Sequence, residues 1–290
     1  MQTPSDQTGG DNTYVLDAES GAEMARLTHQ HQIVTKFMDG PLPASIELPQ
    51  NSDILDIACG PGGWVLDVAY ELPKSQVVGI DISQKAIEYA LARAYSQRLE
   101  NNTTFLRMDA TKRLDFPDAS FDMVNARFLI GFMIPEAWTS FAQECRRITR
   151  PGGYTRLTEC DDMGTTTSPA FEKLWGMTAS AFKKAGRSFS PEGRNFNITP
   201  MLGQFLQHAG YTNIQTIPHV IDWSAGAEEH ESMFQDWMIG LQLLQPLQTK
   251  MGVTTQQQAE ELHRLALAEM MLNDFRALWY FASVIGQLPS

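Results

Sequence analysis

The sequence predicts an α/β fold: a doubly wound, mostly parallel sheet of seven strands with helical insertions. From residue 53 onward, apolar runs with the length of buried strands alternate with amphipathic stretches with the length of helices. This alternation is typical of parallel sheets that are covered by helices on both faces. After residue 161 the alternation breaks, and two mainly helical stretches rich in Met, Phe, Trp and Leu follow. They are expected to cover the carboxyl edge of the sheet, where ligands bind in open α/β folds.

Charge and composition disfavour several classes of partner. The chain has 290 residues, with 22 Lys and Arg against 34 Asp and Glu, and a formal net charge of -12. Such a charge repels phosphate backbones, so nucleic acid is not an expected partner. No apolar stretch approaches the roughly 20 residues that span a bilayer, and the first residues show no signal-peptide pattern, so no membrane contact is expected. Three scattered cysteines, Cys59, Cys145 and Cys160, favour reduced thiols in the cytoplasm and no metal site.

The first helix is predicted because residues suited to a buried face recur every three or four positions, and Gly40 followed by Pro41 is expected to end it. These residues are Met24, Leu27, His31, Val34 and Met38. A buried strand, "DILDIA", follows, and the helix "GGWVLDVAYEL" comes after a glycine-rich loop. "QVVGIDI" is the second strand, and Ser83 is placed to cap the next helix. "TTFLRMDA" and "FDMVNARFL" are the third and fourth strands.

The second half of the chain is predicted to complete the sheet. A helix begins at Pro135 and is expected to stop at the glycines of "RPGG" (150–153), before the strand "YTRLTEC". The stretch "TPMLGQFLQHAGYTNIQTIPHVIDW" has the pattern of a helix, a turn and a sixth strand. "FRALWYFASVIGQLP" is the last strand.

The loop in "ILDIACGPGGW" predicts a ligand site, and its residues constrain the charge of the ligand. The dinucleotide fingerprint G-x-G-x-x-G fails at Ala58 in one frame and at Val65 in another. Pro61 has no N–H to offer a pyrophosphate, and the carboxylate of Asp56 would repel one. S-adenosylmethionine fits better, because Asp56 can offset its positive groups while Gly60 lets the backbone approach closely. An NAD-dependent oxidoreductase is therefore the less favoured alternative.

Two further acids end strands at the same edge of the sheet. Asp81 closes the second strand, where an acid in a strand–helix–strand unit accepts hydrogen bonds from ribose hydroxyls. Asp109 ends the third strand, in position for an adenine amino group, with Ala110 beside it. Cys59 is interpreted as a small packing residue, because no His is near it in the sequence. With Gly62 in the loop, this combination predicts an S-adenosylmethionine site.

Four segments carry a resemblance to a known family: "ILDIACGPGGW", "VVGIDIS", "FLRMDATKRLDFPDASFDMVNARFLIGFM" and "RRITRPGGYTRLTE". Through them the chain resembles class I S-adenosylmethionine-dependent methyltransferases of the small-molecule type. It is similar to ubiquinone- and menaquinone-biosynthesis methyltransferases and to bacterial natural-product methyltransferases. The resemblance implies a Rossmann-like fold and S-adenosyl-L-methionine as cofactor. The implied or expected cofactor contacts are Tyr14, Asp56, Ala58, Gly60, Gly62, Asp81, Ile82, Asp109, Ala110, Asn125 and Arg127.

Two of these positions depart from the common pattern or lie outside it. Ala58 is found where many family members have glycine, and we expect this position to need no positive φ angle. Tyr14 lies in "YVLDAESGAEMARL", which resembles a segment that folds over the cofactor in natural-product members.

The predicted organisation is a disordered tail (1–13), an N-terminal helical lid (14–50), an S-adenosylmethionine-binding core (51–161), a helical insertion (162–198), a core helix and strand (199–226), a helical substrate lid (227–272) and a last core strand (273–290).

Methyl transfer is an in-line displacement, so the protein must hold the nucleophile against the cofactor and exclude water. A base is needed only where the nucleophile loses a proton. Glu159, Asp161 and Asp162 after the fifth strand are candidates, as is His219 in the sixth, and Glu159 is expected to face the cleft. The remaining histidines are interpreted as packing or surface residues: His29, His31, His208, His230 and His263.

The aromatic insertions predict an apolar or aromatic small-molecule substrate, in bacterial secondary metabolism. The expected substrate contacts are Phe128, Trp175, Phe234, Trp237 and Met238. The apolar surface of the helical segments also predicts a homo-oligomer. The alternative left open is a methyltransferase-fold protein that holds the cofactor structurally and catalyses a cyclisation or rearrangement.

Overall fold

A computed structural model describes residues 21–290. The predicted tail 1–13 and residues 14–20 of the predicted lid lie outside the described residues. The helices are α1 (Gly21–Phe37), α2 (Gly63–Glu71), α3 (Gln84–Gln97), α4 (Trp138–Ile148), α5 (Pro169–Lys184), α6 (Thr199–His208), α7 (His230–Lys250) and α8 (Gln256–Met270). The strands are β1 (Asp53–Ile57), β2 (Gln76–Asp81), β3 (Thr103–Arg107), β4 (Phe121–Arg127), β5 (Thr149–Glu159), β6 (Thr165–Thr166), β7 (Thr212–Asp222) and β8 (Ala277–Gln287).

These strands form one sheet in the order β3-β2-β1-β4-β5-β8-β6, and β7 also pairs with β8. The neighbours from β3 to β5 are parallel, whereas β8 runs antiparallel to β5, β6 and β7. The predicted α/β fold with a doubly wound, mostly parallel sheet is confirmed. The strand beyond the seven predicted is β6, which has two residues.

The burial of β1 explains its central position in the sheet. Ile54, Leu55 and Ile57 have no exposed surface, because helices cover both faces of this strand. Ile54 belongs to the core beneath α2 and α3, whereas Leu55 and Ile57 belong to a larger core that continues into the insertion helices. Side chains at even and odd positions of β1 thus belong to different cores, because successive side chains of a strand point to opposite faces of the sheet.

The predicted stop of α4 at "RPGG" is wrong. The helix ends at Ile148, because Thr149 is already extended, with φ of -79° and ψ of 135°, and pairs with Phe121 of β4. The glycines lie inside β5, where the register with β4 shifts. Gly152, with φ of +80°, therefore serves a bulge in a strand and not the end of a helix.

The insertion helices pack over the carboxyl edge of the sheet. Within the insertion predicted for 162–198, α5 is the helical part, and a loop connects it to α6. Helices α7 and α8 occupy the segment predicted as a lid, where α7 contacts α1 and α5. No helix within residues 21–290 is long and apolar enough to cross a bilayer.

Candidate functional site

A cavity of about 260 Å³ opens at the carboxyl ends of β1 to β4. Helix α1 closes one side of it with Met24, Arg26, Leu27, Gln30, His31 and Val34. What we term the loop wall follows the strand ends and comprises Asp56, Ala58, Cys59, Gly60, Pro61, Asp81, Ile82, Ser83, Met108, Asp109, Ala110 and Arg127. What we term the aromatic wall comprises Phe128, Phe132, Cys160, Asp162, Met163, Phe182, Phe196, Trp237 and Trp279.

The glycine loop is shaped by close packing as well as by backbone freedom. Gly60 and Gly62 have φ angles of +52° and +76°, in the left-handed region. A Cβ atom on Gly62 would lie 2.8 Å from both the Cβ of Ala90 and a ring atom of Phe105. Gly62 lies outside the cavity lining, so its place in the structure is to let the loop pack against α3 and β3.

Ala58 also lies in the left-handed region, with φ of +56°. The expectation that this position needs no positive φ is therefore wrong. The chain must turn sharply here to leave β1 and enter the loop, and the N–H of the next residue, Cys59, bonds the carbonyl of Ile80 at 2.9 Å. An alanine in this conformation crowds its own Cβ against the following peptide, so Ala58 holds the turn at an energetic cost.

The acid at the end of β2 is held by backbone groups. Asp81 accepts the N–H of Gly60 and the N–H of Ser83, each at 2.9 Å. The hydroxyl of Ser83 in turn accepts the N–H of Ala86 at 3.1 Å, which is the predicted cap of α3. Asp81 therefore links the glycine loop to the start of the next helix, and with Ile82 it lines the cavity.

The acid at the end of β3 has a comparable arrangement. Asp109 accepts the N–H of Thr111 at 2.9 Å and its hydroxyl at 2.7 Å, both through one carboxylate oxygen. Asp109 and the adjacent Ala110 line the same side of the cavity as Asp81. The two strand-end acids are thus brought to one edge of the sheet, as parallel topology requires.

Asp56 is buried and belongs to a polar ladder across three neighbouring strands. Its carboxylate accepts the amide N–H of Asn125 at 2.7 Å, and the amide oxygen of Asn125 accepts Nε of Arg156 at 2.7 Å. Burial raises the pKa of Asp56 to about 6, and the Arg127 guanidinium opposes this rise. Asp56 and Arg127 line the cavity, whereas Asn125 lies behind Asp56 and outside the lining.

Arg127 is oriented by α1, through a residue that the sequence did not identify as functional. Its guanidinium contacts Nδ1 of His31 at 3.1 Å, and Nε2 of His31 contacts the carboxylate of Asp67 at 2.8 Å. An arginine can only donate, so Nδ1 accepts and Nε2–H donates to Asp67. Burial lowers the pKa of His31, which agrees with a neutral ring. The periodicity placed His31 on the buried face of the helix but carried no sign of Arg127.

A buried ion cluster joins α1 to α7 beside the cavity. The guanidinium of Arg26 donates to Glu23 at 2.7 and 2.8 Å and to Asp236 at 3.1 Å. Gln30 donates to the other oxygen of Asp236 at 3.2 Å. Arg26 and Gln30 line the cavity, but the sequence did not predict this. Their shared partner, Asp236, is more than 200 positions away, so no local pattern links them. We refer to Glu23, Arg26, Gln30 and Asp236 as the α1–α7 clasp.

The aromatic wall contains two of the five predicted substrate contacts. Phe128, with φ of +56°, stacks on Trp279 with ring centroids 5.8 Å apart, and Trp237 meets Trp279 edge-on at 5.6 Å. Helix α7 presents Trp237, Gly240 and Leu244 to the cavity, which are one and two turns apart.

The other three predicted contacts lie outside the cavity lining. Phe234 is one turn before Trp237, and Met238 is on another side of α7, where its carbonyl accepts Nε2 of His263 at 2.9 Å. Trp175 packs edge-on against Phe196 with ring centroids 5.0 Å apart, on the far side of the aromatic wall.

The predicted base candidates are placed differently from one another. Glu159 is buried, outside the lining, and its carboxylate accepts the backbone N–H groups of Leu129 and Ile130. This carboxylate does not face the cleft as expected, because it supports the turn after β4. His219 also lies outside the lining. It bonds the carbonyl of Phe37 and the hydroxyl of Ser283, each at 3.1 Å.

Asp161 caps the start of α6 by accepting the N–H of Ile198 at 2.6 Å and of Thr199 at 3.0 Å. The adjacent Asp162 is part of the aromatic wall.

The predicted contact Tyr14 lies outside the described residues. Within residues 21–290, no group of three or more His, Cys, Asp or Glu side chains could hold a metal ion.

Residues 54–153 match the family described as a methyltransferase domain. The methyltransferase str3 of Strobilurus tenacellus is 29% identical over 161 residues, which cover 56% of this chain and 52% of that protein. The 27-O-demethylrifamycin SV methyltransferase of Amycolatopsis mediterranei is 35% identical over 154 residues, which cover 52% of each chain. The matched regions thus span about half the length of both relatives.

A solved structure has the same fold over most of the chain. Phosphoethanolamine N-methyltransferase 2 of Haemonchus contortus, in complex with phosphomonomethylethanolamine and S-adenosylhomocysteine, has a TM-score of 0.55 and 17% identity over 94% of this chain and 58% of that chain. At this identity the likeness shows the fold alone. The family match identifies residues 54–153 as a methyltransferase domain, and the fold and the glycine loop agree with the class that uses S-adenosylmethionine as cofactor.

Proposed function

We propose that the protein transfers the methyl group of S-adenosylmethionine to an apolar small molecule. The cavity carries this proposal, because one of its walls presents the glycine loop and the strand-end acids while the other is aromatic. In the reaction the bond from sulfur to the methyl carbon breaks as the bond to the acceptor forms, and S-adenosylhomocysteine leaves. The two walls would hold the two reactants in one enclosed space, as an in-line displacement requires.

In the proposed complex, the nucleoside end of the cofactor binds at Asp81 and Asp109, which accept hydrogen bonds from ribose and adenine. The methionine end lies near Asp56 and Arg127. These side chains of opposite charge suit a group that carries an ammonium and sulfonium together with a carboxylate. Gly60 lets this part of the cofactor approach the backbone.

The acceptor is proposed to bind between the rings of the aromatic wall. Phe128, Trp237 and Trp279 offer an apolar surface suited to an aromatic or fused-ring molecule. The Amycolatopsis relative is named for methylation of 27-O-demethylrifamycin SV, and a relative from Cochliobolus heterostrophus is named as a regulator of secondary metabolism. We therefore propose secondary metabolism as the setting, with a bacterial source as the specific expectation.

Incubation with methyl-labelled S-adenosylmethionine and a panel of aromatic acceptors tests the activity. Label in the product is the expected result. A product without label would contradict methyl transfer and favour the cyclisation or rearrangement alternative. Because Trp237 and Trp279 line the cavity, tryptophan fluorescence should report cofactor binding. A response to NAD with none to S-adenosylmethionine would overturn the cofactor assignment.

We also propose a homo-oligomer in the cytoplasm. Met271 and Leu272, directly after α8, are 71% and 54% exposed, which supports an association surface. The free thiols of Cys59, Cys145 and Cys160 support a reducing compartment. Light scattering should give a multiple of 32.4 kDa, and the monomer mass at micromolar concentration would contradict association.

A further inference from the structure

The acids that follow β5 have three different environments. Glu159 supports the turn after β4, and Asp161 caps α6. Asp162 alone among these three lines the cavity.

One hydrogen bond holds the carboxylate of Asp162 and leaves its other oxygen available. Its Oδ1 accepts the N–H of Gly164 at 2.8 Å, while within residues 21–290 its Oδ2 has no hydrogen-bond partner. The indole N–H of Trp279 donates to the carbonyl of Asp162 at 3.0 Å. Gly164 has φ of +104°, and a Cβ atom there would lie 2.6 Å from the carbonyl oxygen of Leu278, so the loop is packed tightly against β8. This oxygen is therefore presented by a fixed backbone.

The surroundings of this carboxylate are apolar and provide no counter-charge. Its cavity neighbours in the aromatic wall are Phe, Met and Trp side chains together with Cys160. Among the cationic residues of the cavity, Arg26 is held in the α1–α7 clasp and Arg127 is oriented by His31. No ion pair to Asp162 exists among residues 21–290. Burial raises the pKa of Asp162, and the carboxylate of the adjacent Asp161 adds to this rise, while the hydrogen bond from Gly164 opposes it.

We propose that Asp162 selects the acceptor by accepting a hydrogen bond from a hydroxyl group on an otherwise apolar molecule, and that it excludes acceptors carrying a carboxylate. This inference rests on the proposed function, since it names the acceptor class of the same cavity. A hydroxyl satisfies the available oxygen, whereas an anion at this position meets an unpaired negative charge in an apolar wall. The aromatic rings bind the body of the acceptor, and Asp162 fixes its orientation.

Calorimetric titration with three probes that share one aromatic body tests the inference: naphthalene, 2-naphthol and 2-naphthoate. The protein is first saturated with S-adenosylhomocysteine at neutral pH, where the naphthol is neutral and the naphthoate is charged. We expect wild type to bind 2-naphthol about tenfold tighter than 2-naphthoate. In Asp162→Asn this ratio should fall to about threefold or less, because the charge is lost while an amide oxygen can still accept the N–H of Gly164.

Asp222→Asn is the matched control, because Asp222 is exposed at the end of β7 and outside the cavity lining. This variant should keep the wild-type ratio. All three proteins should bind S-adenosylhomocysteine with affinities within about twofold. Equal affinity of wild type for the naphthol and the naphthoate, or an unchanged ratio in Asp162→Asn, would overturn the role of Asp162. If none of the three naphthalene probes bound to wild type, the acceptor class would be overturned, whereas failure of S-adenosylhomocysteine to bind wild type would overturn the proposed function itself.

Discussion

The two walls of the cavity are built by different means. In the loop wall, backbone N–H groups hold the acids: Gly60 and Ser83 donate to Asp81, and Thr111 donates to Asp109. In the aromatic wall, the surface is formed by side chains from separate elements. Phe128 follows β4, Trp237 belongs to α7 and Trp279 to β8.

This difference separates two kinds of specificity. A wall held by backbone hydrogen bonds between residues close in the fold presents one fixed pattern of charge, which suits one cofactor. A wall of packed rings presents a shape that changes with each side chain, which suits a variable acceptor. Substitutions should therefore affect cofactor binding and acceptor binding separately, and the following variants test that separation from the largest expected effect to the smallest.

Asp81→Ala should weaken S-adenosylhomocysteine binding by about 100-fold, because hydrogen bonds to a charged group contribute about 1.5–3 kcal/mol each. The variant loses the proposed ribose contact and the bonds to Gly60 and Ser83. Isothermal titration calorimetry measures the change. Glu88→Gln, on the exposed side of α3, should bind as wild type does. A loss of less than about threefold in Asp81→Ala would remove Asp81 from the cofactor site.

The affinity of wild type for S-adenosylmethionine should rise about tenfold from pH 5 to pH 7, since the pKa of Asp56 is raised to about 6. The positive methionine end favours the ionised carboxyl, so binding below this pKa must displace a proton. Asp56→Asn cannot titrate and should bind weakly with a flat pH profile. Fluorescence titration at several pH values measures both. A flat profile in wild type would show that Asp56 does not face the cofactor's charge.

Trp237→Leu should weaken 2-naphthol binding about fivefold, since an aromatic pair contributes roughly 1 kcal/mol. S-adenosylhomocysteine should bind with little change. Trp175→Leu makes the same substitution outside the cavity lining and should leave both affinities near wild type. If Trp237→Leu weakened the cofactor product more than the naphthol, the separation of the two walls would be wrong.

Ala58→Gly should stabilise the protein by about 1 kcal/mol, because glycine adopts a φ of +56° without the crowding of a Cβ atom. Thermal unfolding should show an increase in Tm of roughly 2 °C. Ala92→Gly, on the exposed surface of α3, makes the same substitution in ordinary helix and should lower Tm. A lower Tm in both variants would contradict strain at Ala58.

The loop wall could be predicted largely from the sequence, because its signals are local. Asp56, Asp81 and Asp109 each lie within two residues of the carboxyl end of a recognisable strand, and parallel strands bring these ends to one edge. The apolar pattern alone therefore places these acids together. The conformation of Ala58 was not predictable in the same way, because the φ angle depends on how the loop packs against its neighbours.

The aromatic wall and the helix above it depend on contacts between distant parts of the chain. The contact of His31 with Arg127 joins residues 96 positions apart. The segment "ECDD" at the end of β5 also contains three acids, Glu159, Asp161 and Asp162, and each of them has a different environment. Pairing of β5 with β8 and capping of α6 by Asp161 decide that Asp162, and not Glu159, reaches the cavity. The aromatic composition predicted the kind of site, but tertiary packing determines that Phe128 and Trp237 line the cavity while Trp175 does not.

The α1–α7 clasp has a practical consequence for dividing the chain. The family match begins at residue 54, so a truncated protein that starts near there would retain the glycine loop and every strand-end acid. It would nevertheless lack α1, and with it Arg26, Gln30 and His31 from the cavity boundary. Arg127 would lose its imidazole partner, and Asp236 would be left without its arginine. A fragment designed to keep the whole cavity must therefore be longer than the matched domain and include the helix that precedes it.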